Sequence, residues 1–99
     1  MLLAEIQCLP NPPGTNNDQY LHINNAIDVI VSSGLTYEVG ALGTTIQGTS
    51  DEIWNICRLV HESTINSGSD SVVTVIKIAE TDDDNSDFTI DSLVGDYRE

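Results

Sequence analysis

Apolar and polar residues alternate with a period of two in four stretches of the chain and recur every three or four residues in two others, the signatures of strands and of amphipathic helices. In residues 2–9, Leu2, Ala4, Ile6 and Cys8 alternate with Leu3, Glu5, Gln7 and Leu9. The first set is the expected core face, and the charge on Glu5 turns the second toward water, a partner or a ligand. Leu35, Tyr37 and Val39 alternate with Thr36 and Glu38, and residues 44–47 repeat the pattern less cleanly, with Ile46 as their one aliphatic side chain. Gly40 and Gly43 bracket Ala41 and Leu42 between these runs. That predicts a tight hairpin, because glycine takes the positive φ such turns demand at no steric cost. Residues 71–79 form the most β-prone run, rich in β-branched Val72, Val73, Thr74, Val75 and Ile76. Val72, Thr74, Ile76 and Ile78 share one face, and Val73, Val75 and Lys77 share the other with Glu5.

The first helix is predicted over residues 17–33. Asn16 or Asn17 caps it, Gln19 stands in a capping-box position, and Gly34 ends it. Tyr20, Ile23, Ala26, Ile27, Ile30 and Val31 form its apolar stripe. His22 projects off that stripe and reads as a solvated histidine rather than a ligand. The second helix is predicted over residues 50–67, behind the capping box Thr49-Ser50-Asp51-Glu52, with Ile53, Ile56, Cys57, Val60 and Ile65 on its stripe. Trp54 lies one step off the stripe, where it either covers the edge of the core or offers an aromatic face to a partner. His61 and Glu62 read as helix surface. Pro10–Gly14, with three prolines, ends the first strand as a connector.

The resulting order is β-α-β-β-α-β. It predicts an α+β, ferredoxin-like domain: a four-stranded antiparallel sheet of order 4-1-3-2 with both helices on one face. The other face is then open and carries Glu5, Gln7, Thr36, Glu38, Thr45, Gln47, Val73, Val75 and Lys77. Residues 1–79 form this domain. Residues 80–99 form an acidic extension, partly disordered or docked, in which Ile90, Leu93, Val94 and Tyr97 have the spacing of a short docking helix.

Charge narrows the partners. Sixteen acidic residues against three basic ones give −13 over 99 residues, which repels phosphate backbones and anionic lipid, so neither nucleic acid nor a membrane surface is expected. The extension holds eight of the acids and one arginine. The first residues, Met1-Leu2-Leu3-Ala4, lack the basic flank of a signal peptide, and the two cysteines have no metal or redox spacing. A cytoplasmic protein with two buried, reduced thiols is expected. No phosphate-cradling glycine loop, metal-ligand spacing or nucleophile with a base is evident, which argues against an enzyme.

Several segments in order resemble the YkoF-like thiamine-binding proteins: AEIQCLP at 4–10, GLTYEVGALGTTIQG at 34–48, DEIW at 51–54, VHE at 60–62 and VVTVIKI at 72–78. The resemblance covers residues 1–79 and stops before the extension. It implies a cytoplasmic homodimer or homotetramer assembled through the sheets, with thiamine or its hydroxymethylpyrimidine moiety as ligand and no required cofactor. A thiazolium cation asks for a carboxylate or an aromatic face, and a pyrimidine edge asks for amide or hydroxyl partners. Glu5, Tyr37, Glu38, Thr45, Gln47 and Trp54 supply these types. Glu5, Glu38 and Lys77 serve equally well as a polar cluster between subunits, and the alternative function is a ligand-free regulatory or assembly module.

Overall fold

The structure is a computed structural model and describes residues 1–82 and 88–98. The elements run β1 (Leu2–Asn11), α1 (Leu21–Ser32), β2 (Thr36–Val39), β3 (Thr44–Gly48), α2 (Ser50–Asn66), β4 (Ser71–Glu80) and α3 (Ile90–Val94). All strand pairs are antiparallel, in the order β2-β3-β1-β4. This is the expected ferredoxin-like topology. Leu2, Ala4 and Ile6 of β1 and Ile46 of β3 pack with Ala26 and Ile30 of α1 and Ile53, Ile56, Cys57 and Val60 of α2 in one core. Both helices therefore cover the same face of the sheet.

The hairpin forms between β2 and β3, with Gly40 N–H donating to Gly43 O at 2.8 Å. Its glycines serve a different purpose from the one expected. Positive φ occurs at Gly34 and Gly68, and neither Gly40 nor Gly43 adopts it. A Cβ on Gly43 would lie 3.2 Å from the Ile6 carbonyl oxygen and 3.3 Å from Glu5 Cγ. Close approach to β1 is what disfavours a side chain there.

Helix α2 begins as its sequence requires. Glu52 N–H donates to Thr49 Oγ1 at 3.3 Å, and Thr49 N–H donates to Glu52 Oε1 at 2.9 Å. Helix α1 starts four residues later than expected, at Leu21, with no side-chain cap. Thr15 and Asp18 instead close a turn on themselves, Asp18 N–H donating to Thr15 Oγ1 at 3.1 Å and Thr15 N–H to Asp18 O at 2.7 Å. Such local bonds compete with helix initiation. The buried stripe of α1 runs through His22, Ala26 and Ile30, and Tyr20, which precedes the helix, and Val31 are exposed.

His22 is thus 3% exposed rather than solvated. Its Nδ1 lies 2.7 Å from Ser67 Oγ, whose own proton goes to the Thr64 carbonyl oxygen at 2.8 Å, so His22 is the donor to Ser67. Gly68, at φ +120°, leaves room for the ring, with the site of a Cβ 3.4 Å from His22 Cε1.

The short helix α3 lies against the other face. Ile90 is 4% exposed, and its N–H donates to Gln47 Oε1 at 2.8 Å. Gln47 stands opposite Leu3, which is buried although it faces away from α1 and α2. Thr89 and Ser92 form a capping box at the start of α3. The acidic linker expected over residues 80–86 falls largely outside the described residues.

Candidate functional site

A cavity of about 260 Å³ opens between α1 and the hairpin. Ile23, Ala26, Ile27 and Ile30 of α1 roof it, Ile6 and Cys8 of β1 floor it, and Val39, Thr44 and the Gly40–Gly43 loop close its side. Its origin is local. Small Ala26 faces a loop of glycine, alanine and leucine, and the four-residue edge strand β2 is exposed along its whole length. Neither partner has the volume to fill the space, so a void persists where a close-packed interior would have side chains.

The cavity wall is mostly apolar, with Gln7 at its border and two polar side chains on the core face. Thr44 is in phase with Ile46 on the core face and is 5% exposed. Its hydroxyl makes no side-chain hydrogen bond among the described residues, where every fully buried side-chain nitrogen and oxygen is satisfied. The hydroxyl oxygen therefore opens to the cavity. Cys8 is the second. Its Sγ lies 3.4 Å from Thr74 Oγ1 and 3.5 Å from Thr64 Oγ1, and it is only half-buried, against the expectation of two buried thiols; Cys57 is fully buried. Both thiols are free.

The residues first expected to hold a ligand fall into two groups. Glu38, Thr45, Glu5 and Lys77 form one rung across all four strands, and Gln47 lies on the next rung of the same open face. Tyr37, paired with Ile46, points to the helix side, and Trp54 is exposed on α2. The sheet thus brings Glu5, Glu38, Thr45 and Gln47 together and separates them from both aromatics. Three of the four are engaged by the chain itself: Glu38 with Arg98 at 2.9 Å, Gln47 with the Ile90 N–H, and Glu5 more loosely with Lys77 at 3.8 Å. Arg98 also binds Asp91 at 2.9 Å, which ties α3 to the residue that follows it by seven positions.

Thr44, Cys8 and Ala26 were not among the expected site residues. The signal for Thr44 was present, since a hydroxyl stands where the alternation of β3 asks for an aliphatic side chain. A broader groove of about 530 Å³ runs between α1 and α2 past Asp28, Glu52 and Asn55. Its Glu52 carboxylate is committed to the helix cap, and the Thr49 backbone N–H followed by the Thr49 hydroxyl holds that carboxyl below its ordinary range. Among the described residues, no cluster of three or more His, Cys, Asp or Glu side chains is arranged to hold a metal ion. No helix among them is long and apolar enough to cross a membrane.

A ferredoxin-like sheet with a half-enclosed, mostly apolar cavity under its first helix is the class of domain that the fold and the cavity define. Comparison with known proteins gives the family: the chain belongs to the thiamine-binding protein family, whose model matches residues 4–97 and so takes in α3. It is 33% identical over 95 residues to a UPF0045 protein of Clostridium perfringens, covering 96% of this chain and 95% of that one. Among solved structures it resembles a domain of unknown function DUF77 from Bacillus cereus, with 30% identity, a TM-score of 0.84, and coverage of 99% of this chain and 90% of that one. A putative thiamine biosynthesis/salvage protein from Thermotoga maritima matches with 25% identity, a TM-score of 0.80 and 98% coverage of both chains.

Proposed function

We propose that the chain binds thiamine or hydroxymethylpyrimidine without transforming it, with the pyrimidine ring in the cavity under α1. The observation that carries this reading is the Thr44 hydroxyl, buried in an apolar wall and open to the cavity. A hydroxyl can both donate and accept a hydrogen bond, so one that opens only to the cavity offers a polar anchor to a ligand seated there. The volume of about 260 Å³ falls just under the roughly 300–1,000 Å³ of drug-sized pockets. It suits one heteroaromatic ring, with the thiazolium left at the mouth. Glu5, whose Cγ would lie 3.3 Å from a Cβ on Gly43, and Glu38 on the same rung belong to the opposite face of the sheet and add to the negative field around the domain without lining the cavity. The net charge of −13 favours the cationic vitamin over its diphosphate. Binding without catalysis in the cytoplasm, where free thiols stay reduced, completes the reading.

Titration calorimetry with thiamine and with hydroxymethylpyrimidine tests it, using Ala26→Leu to fill the cavity. Both ligands should bind the wild type, and neither should bind the filled variant. If binding survives in Ala26→Leu and is lost in Glu5→Gln or Glu38→Gln, the site is on the open face of the sheet instead. Absence of heat from both ligands would remove the ligand reading.

One observation favours a second role, assembly through homo-oligomers. Leu9 and Val73 pair directly on the open face beside Val75, all three exposed. A dimer or tetramer that buries this strip through the sheets would gain roughly 25 cal/mol per Å² of apolar surface. Light scattering should show two or four chains, and a monomer at micromolar concentration would exclude it.

A further inference from the structure

Cys8 stands between the cavity and a hydrogen-bonded line that leads out of it. Its Sγ lies 3.4 Å from Thr74 Oγ1, directly across the β1–β4 pair, and Thr74 Oγ1 lies 2.6 Å from Nδ1 of exposed His61. The Thr64 hydroxyl gives its proton to the Val60 carbonyl oxygen at 2.7 Å. Thr64 therefore offers Cys8 an acceptor, and the mobile protons are those of the thiol and of Thr74. With the thiol donating to Thr74 and Thr74 donating to His61, the line is set to pass a proton outward. After transfer every bond reverses: His61 donates to Thr74, and Thr74 donates to the thiolate. On its other side Cys8 lines the cavity, as does Thr44, which stands opposite Ile6, one same-face step along β1. The unpartnered Thr44 hydroxyl, 5% exposed, marks that space independently as one built to receive a polar guest.

We propose that Cys8 is a thiol-exchange site within the cavity, which captures small cationic disulfides as a mixed disulfide, with Thr74 and His61 as positioning residues that take up its proton. The step balances without another oxidant. The Cys8 thiolate attacks one sulfur of the reagent, a Cys8 Sγ–S bond forms, and the reagent's own S–S bond breaks. The departing thiolate recovers the proton held at His61. The size of the cavity favours short reagents, and the acidic surface favours cationic ones. Cys57 provides an internal control. It is 2% exposed, and burial pushes its thiol up, away from the reactive thiolate.

Cystamine is a suitable probe, with intact-mass and peptide mapping as the readout. The native protein should gain one cysteamine on Cys8 while Cys57 stays free, and both should react once the chain is unfolded in guanidinium. His61→Gln and Thr74→Val should slow the native reaction by on the order of 10²-fold, the low end of what positioned proton transfer contributes. Their rates in guanidinium should match the wild type, and equal thermal midpoints would show that the fold is kept. An inert Cys8 in the native protein, a Cys57 that reacts as fast, or folded variants with wild-type rates would each overturn the proposal. If Thr74→Val does not fold, His61→Gln decides alone, since that side chain is on the surface.

Discussion

Replacing Thr44 by valine should stabilise the protein, whereas most substitutions at buried positions destabilise. Valine keeps the β-branched shape that β3 favours and loses only the hydroxyl. That hydroxyl sits in a residue 5% exposed with no hydrogen-bond partner among the described residues. Mutational data put an unpaired buried hydroxyl at about 1–3 kcal/mol. The cavity gives the oxygen some contact with solvent, which brings the cost below that range, and we expect a gain of about 0.5–1 kcal/mol. In a domain of this size about 1 kcal/mol moves the midpoint by roughly 4–8 °C. The assay is thermal and urea unfolding of wild type and Thr44→Val, with equal m-values showing that both unfold the same structure. Thiamine affinity should fall at the same time by about five-fold, the equivalent of one hydrogen bond near 1 kcal/mol. A variant less stable than wild type by about 1 kcal/mol or more would show that the hydroxyl already has a partner in the folded chain. The cavity would then lose its polar anchor.

Other parts of the structure make separate predictions. Thr49→Ala removes the cap of α2 and should cost about 1 kcal/mol in urea unfolding. Because the folded state lowers the Glu52 carboxyl below its ordinary pKa of 4.5, the Glu52 contribution is present above that value and is lost as pH falls through the lowered one; Glu52→Ala should lose stability at pH 7, and the gap to wild type should close once the Glu52 carboxyl is protonated in the folded and the unfolded chain alike. Ser67→Ala deprives buried His22 of its acceptor and should cost about 1–3 kcal/mol, while no loss would mean that the ring has another partner. Ile90→Ala removes the one buried side chain of α3 and should let the amides of residues 88–98 exchange quickly while β1 and β3 stay protected. A chain cut after Glu80, where β4 ends, should keep its sheet but expose Leu3; an unfolded product would make α3 part of the domain.

The topology was legible because each element carried its own period and its own punctuation. Thr49 and Glu52 marked the start of α2, Gly34 marked the end of α1, and the two glycines around Ala41-Leu42 marked the hairpin. What escaped depended on contacts between elements distant in sequence. His22 lies off the stripe that the spacing from Tyr20 predicts, and nothing local shows that Ser67 awaits it 45 residues away. The turn between Thr15 and Asp18 decided where α1 begins, and a helix-capping pattern cannot reveal that competition. The open face was read correctly as a row of Glu5, Glu38, Thr45 and Gln47, yet the sequence did not show that Arg98 and the Ile90 N–H would meet two of them. The cavity is a deficit of volume between Ala26 and the hairpin loop, and a deficit leaves no residue pattern except the one hydroxyl at Thr44.

The cavity under α1 as the ligand's place is tested most directly by amide chemical-shift mapping during titration with hydroxymethylpyrimidine. The largest shifts are expected at Ile23, Ala26 and Ile27 of α1 and at Gly40–Thr44, with little change along Val73–Lys77 of β4. Shifts centred on β4 and on Glu38 and Thr45, with α1 undisturbed, would contradict it.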